Sequence, residues 1–137
     1  MAEMQNLAAR LHILPYVRFL GFRRDIPALI RAATATVLTS SHEGVPRSLM
    51  ESLSLEVPGI GVEIRGIREL LSDGCGVLTP PNDSVALSRA LAQLASDREQ
   101  AQAMGRRGRR KMKNTYDLRF VIRAHEQLYA EALKCPQ

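Results

Sequence analysis

The sequence has no tryptophan, 4% aromatic residues, two cysteines in 137 positions and no apolar run near the ~20 residues that span a bilayer. Each shortage removes a class of protein. Without the long run there is no transmembrane helix, and the N-terminal MAEMQNLAARLHIL contains no apolar segment of a secretory signal, so the expectation is a soluble, cytoplasmic domain. Cys75, beside a glycine turn, and Cys135, near the C-terminus, fit neither a metal spacing nor a disulfide framework and read as reduced thiols. His12 and His125 fall in predicted helices without partners at ligand spacing, so no metal is expected. Internal repeats and low-complexity linkers are also missing. The length suits one domain around one core and is too short for a two-domain enzyme.

What is present is globular in character, with 45% hydrophobic and 24% charged residues. The net charge of +5 is concentrated at Arg106, Arg107, Arg109, Arg110, Lys111 and Lys113. A run like this reads first as a solvated helix face; the alternatives are contact with an anionic membrane surface or with nucleic acid. No aromatic residue interleaves to stack on bases and no nucleic-acid motif accompanies the run, which makes nucleic acid the weakest of the three.

Residues 40–51, SSHEGVPRSLME, organise the chain. They follow an apolar run at 35–38 that reads as a buried strand, and they open a helix near Pro46. A strand that turns through glycine into a helix leaves backbone N–H groups unpaired in the turn, which suits an anion such as a phosphate. Glu43 stands before the turn and Glu51 more than one helical turn beyond it. Two carboxylates beside an anion site suit a ligand that carries both phosphate and hydroxyl groups, as a nucleotide sugar does.

In chain order, residues 3–14 read as a helix, with Met4, Leu7, Ala8 and Leu11 on one face, and Pro15 ends it. A short strand at 16–20 is closed by Gly21. Asp25 as cap and Pro27 in the first turn begin a helix to about Ala33. Strand 35–39, helix 46–55, strand 57–62, helix 66–72 and strand 76–79 then alternate, which implies a parallel sheet between helices. Asp83 caps the next helix, and two more follow at 97–112 and 117–133. Residues 1–81 thus form an α/β sheet portion and 82–137 a set of C-terminal helices. In an open parallel sheet the ligand lies beyond the carboxyl ends of the strands, where Gly21, the 40–47 turn and the 62–67 turn are expected.

At these residues a family resemblance becomes specific. Glu43 and Glu51 with seven residues between them, Gly44 directly after the first, and VRFLG at 17–21 resemble the donor-binding half of GT-B glycosyltransferases of the group-one (family four) type. The similarity runs on through GIREL at 66–70, Asp73-Gly74 and GVLTPPND at 76–83, and ends near Tyr129. That group includes mannosyl-, glucosyl- and galactosyltransferases of polysaccharide and lipopolysaccharide synthesis. The resemblance implies a Rossmann-like parallel sheet with flanking helices, the second half of a GT-B C-terminal domain lacking its first two strands. It also implies a nucleoside-diphosphate sugar of the UDP or GDP type as donor substrate, with no cofactor.

The family's roles carry over position by position. Glu51 matches the glutamate that accepts hydrogen bonds from ribose hydroxyls, and Glu43 the one that contacts the donor sugar at the catalytic centre. The N–H groups near Gly44 and of Arg47, Ser48 and Leu49 would face the diphosphate, and Arg47 could add charge there. The residues after Gly21, about Phe22 to Arg24, resemble the segment lining the base, which puts Gly21 and Phe22 among the donor-binding candidates. His42 reads as an exposed turn histidine beside this site.

Several positions depart from the pattern. Glu56 stands where members close a helix with glycine, at a cost of roughly 1 kcal/mol if the backbone is left-handed. Gly59 and Gly61 are expected to weaken a buried strand, and Gly105 and Gly108 to loosen a helix. Arg65 replaces the first of two paired glycines, and Thr34 and Thr39 replace an aspartate and a proline. Relative to the family, two strands, their Arg/Lys loop and the acceptor-binding domain lie outside the sequence. Alone, the chain is expected to be inactive and to need an acceptor domain or another chain. Bare strand edges invite a homodimer or strand exchange. The alternative is a non-catalytic nucleotide-binding or assembly module derived from such enzymes.

Overall fold

Apolar runs of three or four residues, separated by helices with one apolar face, dictate a layered αβ arrangement, and the computed structural model shows it. The structure describes residues 2–134; Cys135 lies outside them. Helix α1 (Ala2–Arg10), a 3-10 turn (Leu14–Tyr16) and α2 (Ile26–Ala32) precede strand β1 (Thr36–Leu38). Then follow α3 (Arg47–Ser54), β2 (Gly59–Val62), α4 (Arg65–Leu71), β3 (Gly76–Thr79), α5 (Ser84–Ser96), α6 (Arg98–Thr115) and α7 (Leu118–Ala132). The strands form one parallel sheet in the order β1-β2-β3, with Val37 beside Ile60 and Ile60 beside Val77. Parallel pairing brings the carboxyl ends of all three strands to one side, where the 40–47 and 62–67 turns emerge.

The sheet has a helix layer on each face. On one, Leu49, Leu53, Ile67, Leu70, Leu71, Cys75 and Met112 pack together, with Leu38 and Leu78 against them. On the other, Ile60 meets Ala90, Leu94 and Ala101. Burial raises the pKa of the Cys75 thiol, the response of a core residue.

Gly59 and Gly61 do something other than weaken β2. A Cβ on Gly59 would lie 2.8 Å from Leu71 Cδ2 and 2.9 Å from Leu49 Cδ2, and one on Gly61 would lie 2.4 Å from Ile67 Cγ2. The two glycines share one face of the strand, and the side chains of α3 and α4 fill the space they leave. Gly105 and Gly108 likewise tighten the packing. Helix α6 is continuous, and a Cβ on Gly105 would lie 1.8 Å from the Glu56 carbonyl oxygen, while one on Gly108 would lie 2.6 Å from Leu53 Cδ2. The missing side chains let α6 lie directly on the C-terminal end of α3.

That end is a helix-terminating turn of the Schellman type. Glu56 N–H donates to Leu53 O at 3.1 Å and Val57 N–H to Ser52 O at 3.0 Å, with Glu56 at φ +63. The buried Ser52 hydroxyl donates to Val57 O at 2.9 Å and accepts from Thr36 Oγ1 at 2.8 Å, which ties α3 to β1. A glutamate at a left-handed position costs about 1 kcal/mol relative to glycine. Its exposed ion pair with Arg109, 3.4 Å long, returns at most about as much. Glu56→Gly is therefore expected to raise stability by roughly 0.5 kcal/mol, read as a higher urea midpoint with an unchanged slope.

The basic run on α6 is only in part a solvated face. Arg107 Nε donates to Gly74 O at 2.7 Å, Arg109 donates to Ser54 O at the end of α3, and Lys111 donates to Glu69 O and Ser72 Oγ at the end of α4. Cationic side chains here satisfy the last carbonyls of two helices. Lys111 also lies 3.0 Å from Asp73 and holds that carboxyl below the usual carboxylate range. Arg106, Arg110 and Lys113 make no ion pair among the described residues.

Three expectations for the N-terminal third are corrected. The segment 16–20 is not a strand: it begins in a 3-10 turn and has no strand alongside it among the described residues, and without a ladder partner an apolar run does not become sheet. Helix α1 stops at Arg10 rather than 14, because His12 takes φ +56 and Ile13 N–H donates back to Ala8 O at 3.0 Å. His12 thus lies in a turn and not in a helix. Asp25 precedes α2 but its side chain makes no cap; it pairs with Arg23 instead. Asp83, Asp97 and Asp117 do cap α5, α6 and α7, and the Arg119 guanidinium holds Asp117 down to about 2.

Candidate functional site

Beyond β1 the chain runs through residues 39–46 and enters α3 with Pro46 as its N-cap, at φ −70 and ψ 115. Proline has no N–H to offer, and its carbonyl accepts the first helical bond, from Met50 N–H at 3.2 Å. Among the described residues no side chain caps α3. The N–H groups of Arg47, Ser48 and Leu49 are therefore left without partners among the described residues, at the positive end of an eight-residue helix. Arg47 and Ser48 are exposed, whereas the Leu49 side chain is core, so Leu49 offers a ligand only its N–H.

Gly66 sets the shape of the turn. A Cβ there would lie 1.5 Å from the Gly44 carbonyl oxygen and 3.0 Å from the Glu43 carbonyl oxygen. The first turn of α4 therefore rests on the Glu43–Gly44 backbone, a contact that no other residue permits. Gly44 itself is open: a Cβ on it would meet nothing within 4 Å, and its φ is not positive. Between the two segments lies a hollow of about 370 Å³ lined by Ser41, His42, Glu43, Gly44, Ile64 and Arg65. Glu43 is half-buried in it, and His42 Nδ1 lies 3.2 Å from Ser41 Oγ.

Glu51 lines a different hollow. That space, of about 480 Å³, lies between α2 and α3 and is bounded by Pro27, Ile30, Arg47, Met50, Glu51, Ser54 and Leu55. Glu43 and Gly44 thus line one hollow and Arg47 and Glu51 another, with the uncapped start of α3 between Gly44 and Glu51 in the chain. Gly21 and Phe22 join neither. Gly21 has φ +62 but follows no strand, and Phe22 is 89% exposed. Arg65 was legible only as a departure from a glycine pair; its place in the hollow follows from Gly66 beside it. Among the described residues no three His, Cys, Asp or Glu side chains gather to hold a metal, and no helix is long and apolar enough to cross a membrane.

This geometry of turn, uncapped helix and close glycine can be set beside known proteins. Residues 1–111 match the family described as glycosyl transferases group 1. The chain belongs to that family. EpsD of Bacillus subtilis (strain 168) is 36% identical over 107 residues, covering 77% of this chain and 28% of EpsD. The N-acetyl-alpha-D-glucosaminyl L-malate synthase of Bacillus anthracis is 28% identical over 130 residues, covering 94% of this chain and 34% of the synthase. This group 1 chain thus spans about a third of the length of the curated relatives it matches. Among solved structures, Anabaena Alr3699/HepE in complex with UDP-glucose superimposes with a TM-score of 0.83 at 27% identity, over 96% of this chain and 36% of that one. The group 1 assignment and the GT-B architecture therefore agree with the parallel sheet and its flanking helices.

Proposed function

We propose that this chain is the donor-binding portion of a glycosyltransferase that transfers a hexose from a nucleoside-diphosphate sugar in glycan, polysaccharide or lipopolysaccharide synthesis. The observation that carries the reading is the uncapped N-terminus of α3 beside the open Gly44, in a chain whose structural relative HepE binds UDP and UDP-glucose. The N–H groups of Arg47, Ser48 and Leu49 meet the diphosphate, and the Arg47 guanidinium adds charge. Glu51 accepts hydrogen bonds from the ribose hydroxyls. Glu43, half-buried across the turn, accepts them from the sugar. As the sugar departs, charge grows on the diphosphate, and fixed dipoles aimed there stabilise it without reorganising.

The same reading assigns transfer to a larger assembly. The free edge of β1, where Val37 is 44% exposed, is the place for another strand, from a further segment or another copy of the chain. Acceptor binding and the remaining charge on the diphosphate come from there.

Calorimetric titration with UDP, GDP and ADP, alongside Glu51→Ala, tests the site. Saturable binding of one nucleotide is expected, weakened roughly tenfold or more in the variant, the loss of hydrogen bonds to a charged acceptor. If none of the three binds, the reading fails. If UDP binds but no turnover appears with a supplied acceptor domain, the chain is a nucleotide-binding module and not part of an enzyme.

A further inference from the structure

Of the two side chains with full charge in the 370 Å³ hollow, only Glu43 has a role so far. The other is Arg65, the first residue of α4. Its backbone is fixed from behind, since Gly66 is seated on Gly44, yet its side chain is 94% exposed and has no hydrogen-bond partner among the described residues. The ion pair to Glu69 one turn later is 3.9 Å long, too far for a hydrogen bond. An arginine tied at its root and untied at its head, on the lining of the same hollow as a half-buried carboxylate, presents five donors to whatever enters. Glu43 offers only acceptors.

We propose that Arg65 is a further donor-sugar contact in this chain, and that with Glu43 it selects a neutral hexose. Adjacent hydroxyls on a pyranose ring can satisfy both walls, one donating to the Glu43 carboxylate and the next accepting from the Arg65 guanidinium. The lining of the hollow carries one charge of each sign, with His42 as the remaining titratable side chain there, so a sugar carboxylate drawn to Arg65 is also repelled by Glu43. This rests on the reading of the site given above, and its test separates the two.

Affinities for UDP, UDP-glucose and UDP-glucuronate are measured for the chain and for Arg65→Met and Arg65→Lys. Methionine keeps an unbranched apolar stem and removes every donor; at so exposed a position the fold is expected to be indifferent, which thermal unfolding checks. In Arg65→Met the ratio of the UDP-glucose Kd to the UDP Kd is expected to rise about tenfold, the effect of losing a hydrogen bond to a charged donor, with partial recovery in Arg65→Lys. An unchanged ratio overturns the proposal, as does an equal loss for UDP and UDP-glucose. Arg65-dependent preference for UDP-glucuronate over UDP-glucose overturns the neutral-sugar assignment. Absence of UDP binding in every form overturns the donor-site reading itself.

Discussion

Gly66→Ala is expected to destabilise the chain by about 3 kcal/mol and to remove nucleotide binding with it. The added Cβ would stand 1.5 Å from the Gly44 carbonyl oxygen, and the atoms in its way are backbone. A side chain can rotate aside; here either α4 or the Glu43–Gly44 turn must shift by more than an ångström. Ile67, Leu70 and Leu71 anchor α4 in the core at 0–2% exposure, so the turn yields more easily than the helix. Overpacking of this kind lies at the upper end of the usual 1–3 kcal/mol, about 10 °C in Tm for a domain of this size. Displacing the turn also carries Glu43 and Gly44 away from the start of α3. Gly44→Ala serves as the control: its Cβ meets nothing, so Tm should hold while UDP affinity falls through crowding of the ligand. Equal melting temperatures for Gly66→Ala and the parent chain would refute the contact.

Gly105→Ala is expected to destabilise by about 2 kcal/mol, against the usual gain from placing alanine in a helix. Propensity alone favours alanine by roughly 1 kcal/mol. The Cβ would lie 1.8 Å from the Glu56 carbonyl oxygen, so α6 must lift from the turn that ends α3. Lifting it strains the Arg109 and Lys111 bonds to the ends of α3 and α4 and opens the packing of Met112. Overpacking outweighs propensity. Gly108→Ala separates the terms, because its obstacle is the Leu53 side chain, 2.6 Å away, and the loss should be much smaller. Urea midpoints of the two variants, compared at equal slope, decide it; stabilisation by Gly105→Ala would show that the helices do not touch there.

The alternation of helix and strand from residue 35 to 79 and the three helices after it were legible in the sequence, because period-2 and period-3.6 patterns with Pro46 and Asp83 as punctuation leave few alternatives. The turn at 40–47 and the free N–H groups were legible for the same reason. What failed were judgements that depend on partners. The run at 16–20 has the composition of a strand, but a strand exists only beside another. Gly59, Gly61, Gly105 and Gly108 looked like weaknesses because propensity scores a residue alone, whereas each makes room for a neighbour distant in sequence. The basic run looked solvated because no local signal says that Arg109 and Lys111 reach carbonyls 55 and 42 residues away. Within the site, Glu43 and Gly44 could be placed together from adjacency, but the division into two hollows depends on how α2 meets α3.

The glycine contacts at the two ends of α3 have a consequence for how this site can change over generations. One end of the helix adjoins the Gly44–Gly66 contact and the other is held at Glu56 by Gly105, while Leu49, Ser52 and Leu53 are locked inward. Substitutions at those positions are filtered by whether the chain folds at all. Arg47, Ser48, Glu51 and Arg65 are outside that filter, since each is exposed and supports no neighbour in the core. New ligand preferences can therefore be tried one side chain at a time on a frame that does not have to be reinvented.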